Sequence, residues 1–122
     1  MIRLQVTLED DEARYIPAPC RGTVSGAQAV WQTNAVEPND TIIVSRDSTA
    51  VNTITAVDTA GLQCEAGVPN ATVASRDLIF DPDSSTKANT VIKVTPNGGA
   101  GDALVTIEFN DYAYVQQDAS EA

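Results

Sequence analysis

The sequence predicts an all-β domain, a sandwich or barrel of about eight short strands. Three observations carry this. Turn signals recur at near-regular spacing along 122 residues. Val, Ile, Leu and Thr dominate over aromatics, which favours strands. No helical pattern of 10–15 residues alternates with the strands, which disfavours a parallel α/β sheet.

The elements follow in order. Ile2, Leu4, Val6 and Leu8 alternate with Arg3, Gln5 and Thr7, the period of a half-buried strand. It ends in the acidic run Glu9-Asp10-Asp11-Glu12, read as a solvated turn. Pro17 and Pro19 bracket Ala18 and disfavour helix, so an extended linker or edge segment is expected up to Cys20. From Gly22 to Thr33, alanines and glutamines tolerate helix, but Thr23, Val24 and Gly26 open one poorly; a strand is expected. Glu37-Pro38-Asn39-Asp40 reads as a turn. Thr41–Arg46 and Val51–Val57 then form a hairpin around Asp47-Ser48. Leu62 to Ser75 reads as a long loop with a short strand on either side. Arg76 to Phe80 is a brief apolar strand, ended by Asp81-Pro82-Asp83-Ser84-Ser85. Thr90–Thr95 is a strand, and Pro96 to Asp102 a glycine-rich loop. Ala103, Val105, Ile107 and Phe109 define one face of the last strand, which Tyr112 to Val115 continue. The domain organisation expected is a strand or arm at 1–20, a sandwich at 21–115 and a polar tail at 116–122.

Composition excludes several chemistries. Seventeen acidic against seven basic residues give a formal charge of −10. The basic residues are scattered, so a nucleic-acid partner, which needs clustered Lys or Arg, is not expected. No stretch approaches the roughly 20 apolar residues of a membrane helix, and the first residues lack the pattern of a signal peptide. Manufacture in a cytoplasm is expected, with no membrane partner.

The chain contains no histidine. That removes Ser-His-Asp and Cys-His catalysis and leaves no imidazole for zinc. Lys87 and Lys93 are the candidate bases for a Ser-Lys pair, but both lie in polar contexts. Chance carboxylate pairs abound among the acids, while few aromatics exist to stack on sugars. Asp81 and Asp83 open like a calcium loop, yet Thr86 and Ile92 stand where the glycine and the closing glutamate belong, so an acidic turn is favoured. Asn97-Gly98-Gly99-Ala100-Gly101 lacks a following Gly-Lys-Ser/Thr and reads as a turn. Cys20 and Cys64 read as small buried thiols, with a single disulfide the alternative. No catalytic residue, cofactor or metal site is expected.

Several segments resemble the small decoration, or cement, proteins of tailed-phage heads. They are Gly22 to Trp31 followed by Glu37 to Val44, then Asn89 to Gly99, then Gly101 to Phe109. The resemblance spans roughly residues 22–110 and is made mostly of strand and turn grammar. It carries no catalytic motif. It implies a jelly-roll-like antiparallel sandwich, often a homotrimer. Such proteins sit on the outer capsid surface at three-fold or quasi-three-fold positions. There they bridge neighbouring subunits of the major capsid protein against the pressure of packaged DNA. Met1–Cys20 and Leu62–Ser75 match poorly.

An arm that pairs along a sheet edge would add contact area. Ile2, Leu4, Val6 and Leu8, with Pro17 and Pro19, are the residues expected to form it. Trp31 reads first as core packing and second as an interface anchor. The alternative function is a glycan- or receptor-binding module of a phage fibre or surface protein. Tyr112 and Tyr114 would supply its aromatic face.

Overall fold

The structure, a computed structural model, describes residues 1–9, 12–32, 40–56, 63–97 and 102–111. Nine strands lie among them: β1 (Ile2–Leu8), β2 (Arg14–Pro17), β3 (Gly22–Trp31), β4 (Thr41–Arg46), β5 (Thr49–Thr55), β6 (Cys64–Ala66), β7 (Val68–Pro69), β8 (Val91–Asn97) and β9 (Ala103–Asp111). They form two antiparallel sheets, one ordered β1-β9-β3-β6 and the other β2-β8-β4-β5-β7. With the two-residue β7 set aside, the strands follow the order of a jelly roll, first, eighth, third and sixth against second, seventh, fourth and fifth, and successive strands change sheet except at the β4–β5 hairpin. The jelly-roll-like sandwich is therefore present, with one short strand more than the turn signals suggested.

Period-two sequences explain the central strands. In β9, Ala103, Val105, Ile107 and Phe109 are all buried, while Leu104, Thr106, Glu108 and Asn110 alternate outward. Ile42 and Val44 in β4, Ile54 in β5, and Ile92 and Val94 in β8 meet them from the other sheet. Each such side chain contributes about 1.5–3 kcal/mol by leaving water. Phe80 and Phe109 pack at a ring-centroid separation of 6.3 Å and a tilt of 56°, a favourable aromatic arrangement. The β4–β5 hairpin turns at Asp47, whose φ of 55° a short polar residue tolerates. The Ser45 hydroxyl donates to the Asp47 carbonyl at 3.1 Å and ties the turn.

Four expectations are corrected. Residues 1–20 are not a separable arm, since β1 pairs with β9 over seven residues and β2 pairs with β8 over four. Leu8 and Ala18 are buried in the common core, and Ile2, Leu4, Val6 and Ile16 pack against it. Arg76 to Phe80 is not a strand. A 3-10 turn occupies Ser75–Asp77, and Phe80 makes only an isolated bridge to Gly22. In Leu62–Ser75, both short strands lie close together, and the chain crosses between sheets at Gly67. The Gly67 N–H donates to the Ala27 carbonyl at 2.8 Å, and a side chain there would strike Asn52. Finally, the two cysteines are free thiols as expected, but they are not buried: Cys20 is half-buried and Cys64 exposed. Burial pushes the Cys20 thiol pKa up, and the nearby Asp111 carboxylate adds to it.

Candidate contact face

The five-stranded sheet gathers strands that are far apart in the chain, and none of them contains Asp or Glu. Three of the seven basic residues, Arg14, Arg46 and Lys93, lie in the same strands. Two of these are engaged away from the outer face. Arg14 Nη2 lies 3.8 Å from Glu9 Oε2, and Arg46 Nη1 donates to the Ile79 carbonyl at 3.1 Å. Lys93 stays on the outside, its Nζ 5.9 Å from the centroid of the Tyr15 ring, within reach of a cation–π attraction.

Register places the rest of the outer face. Val68, Thr53, Ile43 and Thr95 form one row across four strands. Tyr15 and Lys93 form a second, which ends on the buried Ser45, and Thr55, Thr41 and Asn97 form a third. Alternation dictates this, because Ile42, Val44, Ile54, Ile92 and Val94 are turned into the core. Tyr15 is 60% exposed and Val68 67%, two of the three large apolar residues with such exposure among the described residues. The face is thus mostly Thr, Ile, Val and Tyr, with one cation and no carboxylate among the described residues. β-Branched side chains hold few rotamers, so little freedom remains to be lost when such a surface is covered.

The outer face of the four-stranded sheet differs. Arg3 stands opposite Glu108, and Gln5 stands opposite Thr106, to whose hydroxyl its Nε2 donates at 3.5 Å. Thr106 is followed across the sheet by Gln28 and Ala66, and Leu104 by Val30 and Cys64. This face is polar and balanced in charge. The described acids lie mainly in turns and at strand ends, as Glu9, Glu12, Asp47, Asp77, Asp81, Asp83 and Asp102 do. Among the described residues, the acids therefore lie mainly on the rims of the sandwich, and few stand on its broad faces.

The residues expected to make contacts fall in different places. Ile2, Leu4 and Val6 face inward and are half-buried, and Leu8 is fully buried, so their side chains belong to the core. Pro17, the last residue of β2, and Pro19 just beyond it are exposed. Trp31 is 3% exposed and packs in the core, which removes it as an interface anchor. Tyr112 and Tyr114 lie outside the described residues. The Asp81 turn satisfies its own groups: Asp81 Oδ1 accepts the Asp83 N–H at 2.9 Å, and its carbonyl accepts the Ser84 N–H at 3.0 Å. Arg21 Nε lies 3.8 Å from Asp81 Oδ2. Among the described residues, no group of three or more His, Cys, Asp or Glu side chains is placed to hold a metal ion.

Ile43, Thr53, Thr95, Val68 and Tyr15 were not singled out by sequence. The usable signal was the lack of any carboxylate in Arg14–Pro17, Thr41–Arg46, Thr49–Thr55 and Val91–Asn97 of so acidic a chain. Comparison with protein-family models, curated proteins and solved structures finds no match to this chain.

Proposed function

We propose that this chain is a structural virion protein that decorates the outside of a tailed-phage head and cements neighbouring major capsid subunits. The observation that carries the reading is the outer face of the five-stranded sheet, which among the described residues has no carboxylate, in a chain of charge −10. Cores of protein interfaces are depleted of Lys, Glu and Asp and enriched in aromatics. A buried, unpaired charge is costly, so a face of Thr, Ile, Val and Tyr can be covered where the acidic rims cannot. The role needs no reactive centre. It needs a stiff scaffold and a broad face, and a copy spanning two capsid subunits binds by the combined strength of both contacts. The jelly-roll order of the strands accords with the resemblance over residues 22–110.

The test is co-sedimentation with phage heads assembled without this protein, followed by heating of the loaded heads. Saturable binding and a higher temperature of DNA release are expected. Protein that stays in the supernatant at every concentration would contradict the proposal.

A further inference from the structure

The two sheets have four edges, formed by β1, β6, β2 and β7. Three of them are blunt. β6 has three residues, β7 has two including Pro69, and β2 has four and ends in Pro17. β1 is different: it runs for seven residues without proline or glycine, and among the described residues its one strand neighbour is β9. The backbone groups on its free side are a template for another strand. Its inward side chains are also incompletely covered. Ile2, Leu4 and Val6 remain half-buried, whereas their cross-strand neighbours Phe109, Ile107 and Val105 are wholly buried.

We propose that β1 pairs antiparallel with β1 of a second copy of this chain, joining two four-stranded sheets into one continuous sheet. Charge selects this occupant and its direction. β1 contains no carboxylate and one cation, Arg3, while the acidic run Glu9-Asp10-Asp11-Glu12 follows immediately. Parallel pairing in register would set Arg3 beside Arg3 and acid beside acid. Antiparallel pairing about Gln5 uses the whole strand and sets Ile2 opposite Leu8, Leu4 opposite Val6, and Arg3 opposite Thr7. Inward residues then face inward residues, as the period of two requires. Arg3 comes to lie diagonal to Glu9 of the second copy, at about 7–8 Å. The acidic rims stay apart. This inference rests on the strand edge and does not depend on the capsid reading.

Gln5 sits on the proposed axis, faces solvent and is exposed, so a charge placed there meets its own copy without disturbing the core. Sedimentation equilibrium would compare the wild type, Gln5→Glu, Gln5→Lys and an equimolar mixture of the two variants. The wild type is expected to approach twice the 12.8 kDa chain mass as concentration rises. Each variant alone should dissociate up to about fivefold more readily, because like charges directly opposite destabilise a strand pair. The mixture should recover the wild-type affinity. A wild type that remains at one chain mass, or reaches three, would overturn the proposal. So would a dimer indifferent to both substitutions, or a mixture no tighter than its components.

Discussion

A chain lacking residues 1–20 is expected not to fold cooperatively. The deletion removes β1 and β2, and with them the buried Leu8 and Ala18 and the half-buried Ile2, Leu4, Val6 and Ile16. At about 2 kcal/mol for Leu8 and about 1 kcal/mol for each of the others, the lost apolar burial alone reaches roughly 7 kcal/mol. That is comparable with the whole stability of a domain, about 5–15 kcal/mol. The deletion also bares the ladder groups of β9 and β8 that pair with β1 and β2, leaving long, aggregation-prone edges. Thermal unfolding followed by circular dichroism should show no cooperative transition. A sharp melt near that of the full chain would show that these strands are dispensable, as a separable arm would be.

The second large effect is expected at Gly22. This residue lies between two neighbours. Its N–H donates to the Phe80 carbonyl at 2.9 Å, and its carbonyl accepts the Phe80 N–H at 2.8 Å. On the other side it pairs with Asp111 of β9. A Cβ at this position would run into the Asn110 carbonyl oxygen and the Phe109 ring. Phe109 is fully buried against Phe80 and has no free space to move into. Gly22→Ala should therefore cost about 3 kcal/mol, at the upper end of ordinary overpacking. For a domain of this size, that lowers the melting temperature by roughly 10–15 °C. Gly26→Ala is the matched control. Its Cβ would find only Glu108 Oε2, at 3.8 Å, and the smaller unfolded-state entropy should make it neutral or slightly stabilising. Equal melting temperatures for the two variants would contradict the packing described around Phe109.

The parts of the fold legible from sequence are those where burial is periodic over a long run. β1, β9 and the β4–β5 hairpin announce themselves because every second side chain enters one core. β6 and β7 are too short, at three and two residues, for a period to register. Arg76 to Phe80 misleads for a related reason. Leu78 and Phe80 are both buried, which imitates alternation, yet pairing goes no further than the single bridge from Phe80 to Gly22. The Ile79 carbonyl takes its hydrogen bond from the Arg46 side chain instead. Residues 1–20 look detachable because Pro17 and Pro19 are linker-like, but the four-residue β2 is an edge strand, where proline is tolerated.

The contact face was hidden for a topological reason. Tyr15, Ile43, Thr53, Val68 and Thr95 come from five strands, and in sequence each is just the solvent-side residue of its own strand. The jelly-roll strand order brings them into one sheet, and only then does the lack of carboxylates become a property of a surface. The alternating apolar residues Ile2, Leu4 and Val6 read as contact residues of an arm, but the same topology assigns their side chains to the interior, as it does that of Trp31, which reads first as core packing.

Head occupancy of two single-charge variants tests the docking face most directly. Ile43→Glu puts a carboxylate in the middle of the five-stranded sheet, flanked by Thr53 and Thr95. Gln28→Glu puts the same charge on the outer face of the four-stranded sheet, where Gln28 is exposed. Both positions point away from the core, so both variants should retain a cooperative melt. Ile43→Glu should lower occupancy on heads about tenfold, equivalent to ~1.4 kcal/mol, and Gln28→Glu should bind as the wild type does. Full occupancy by Ile43→Glu, or the same loss from both variants, would mean that the carboxylate-free face is not where this protein meets the capsid.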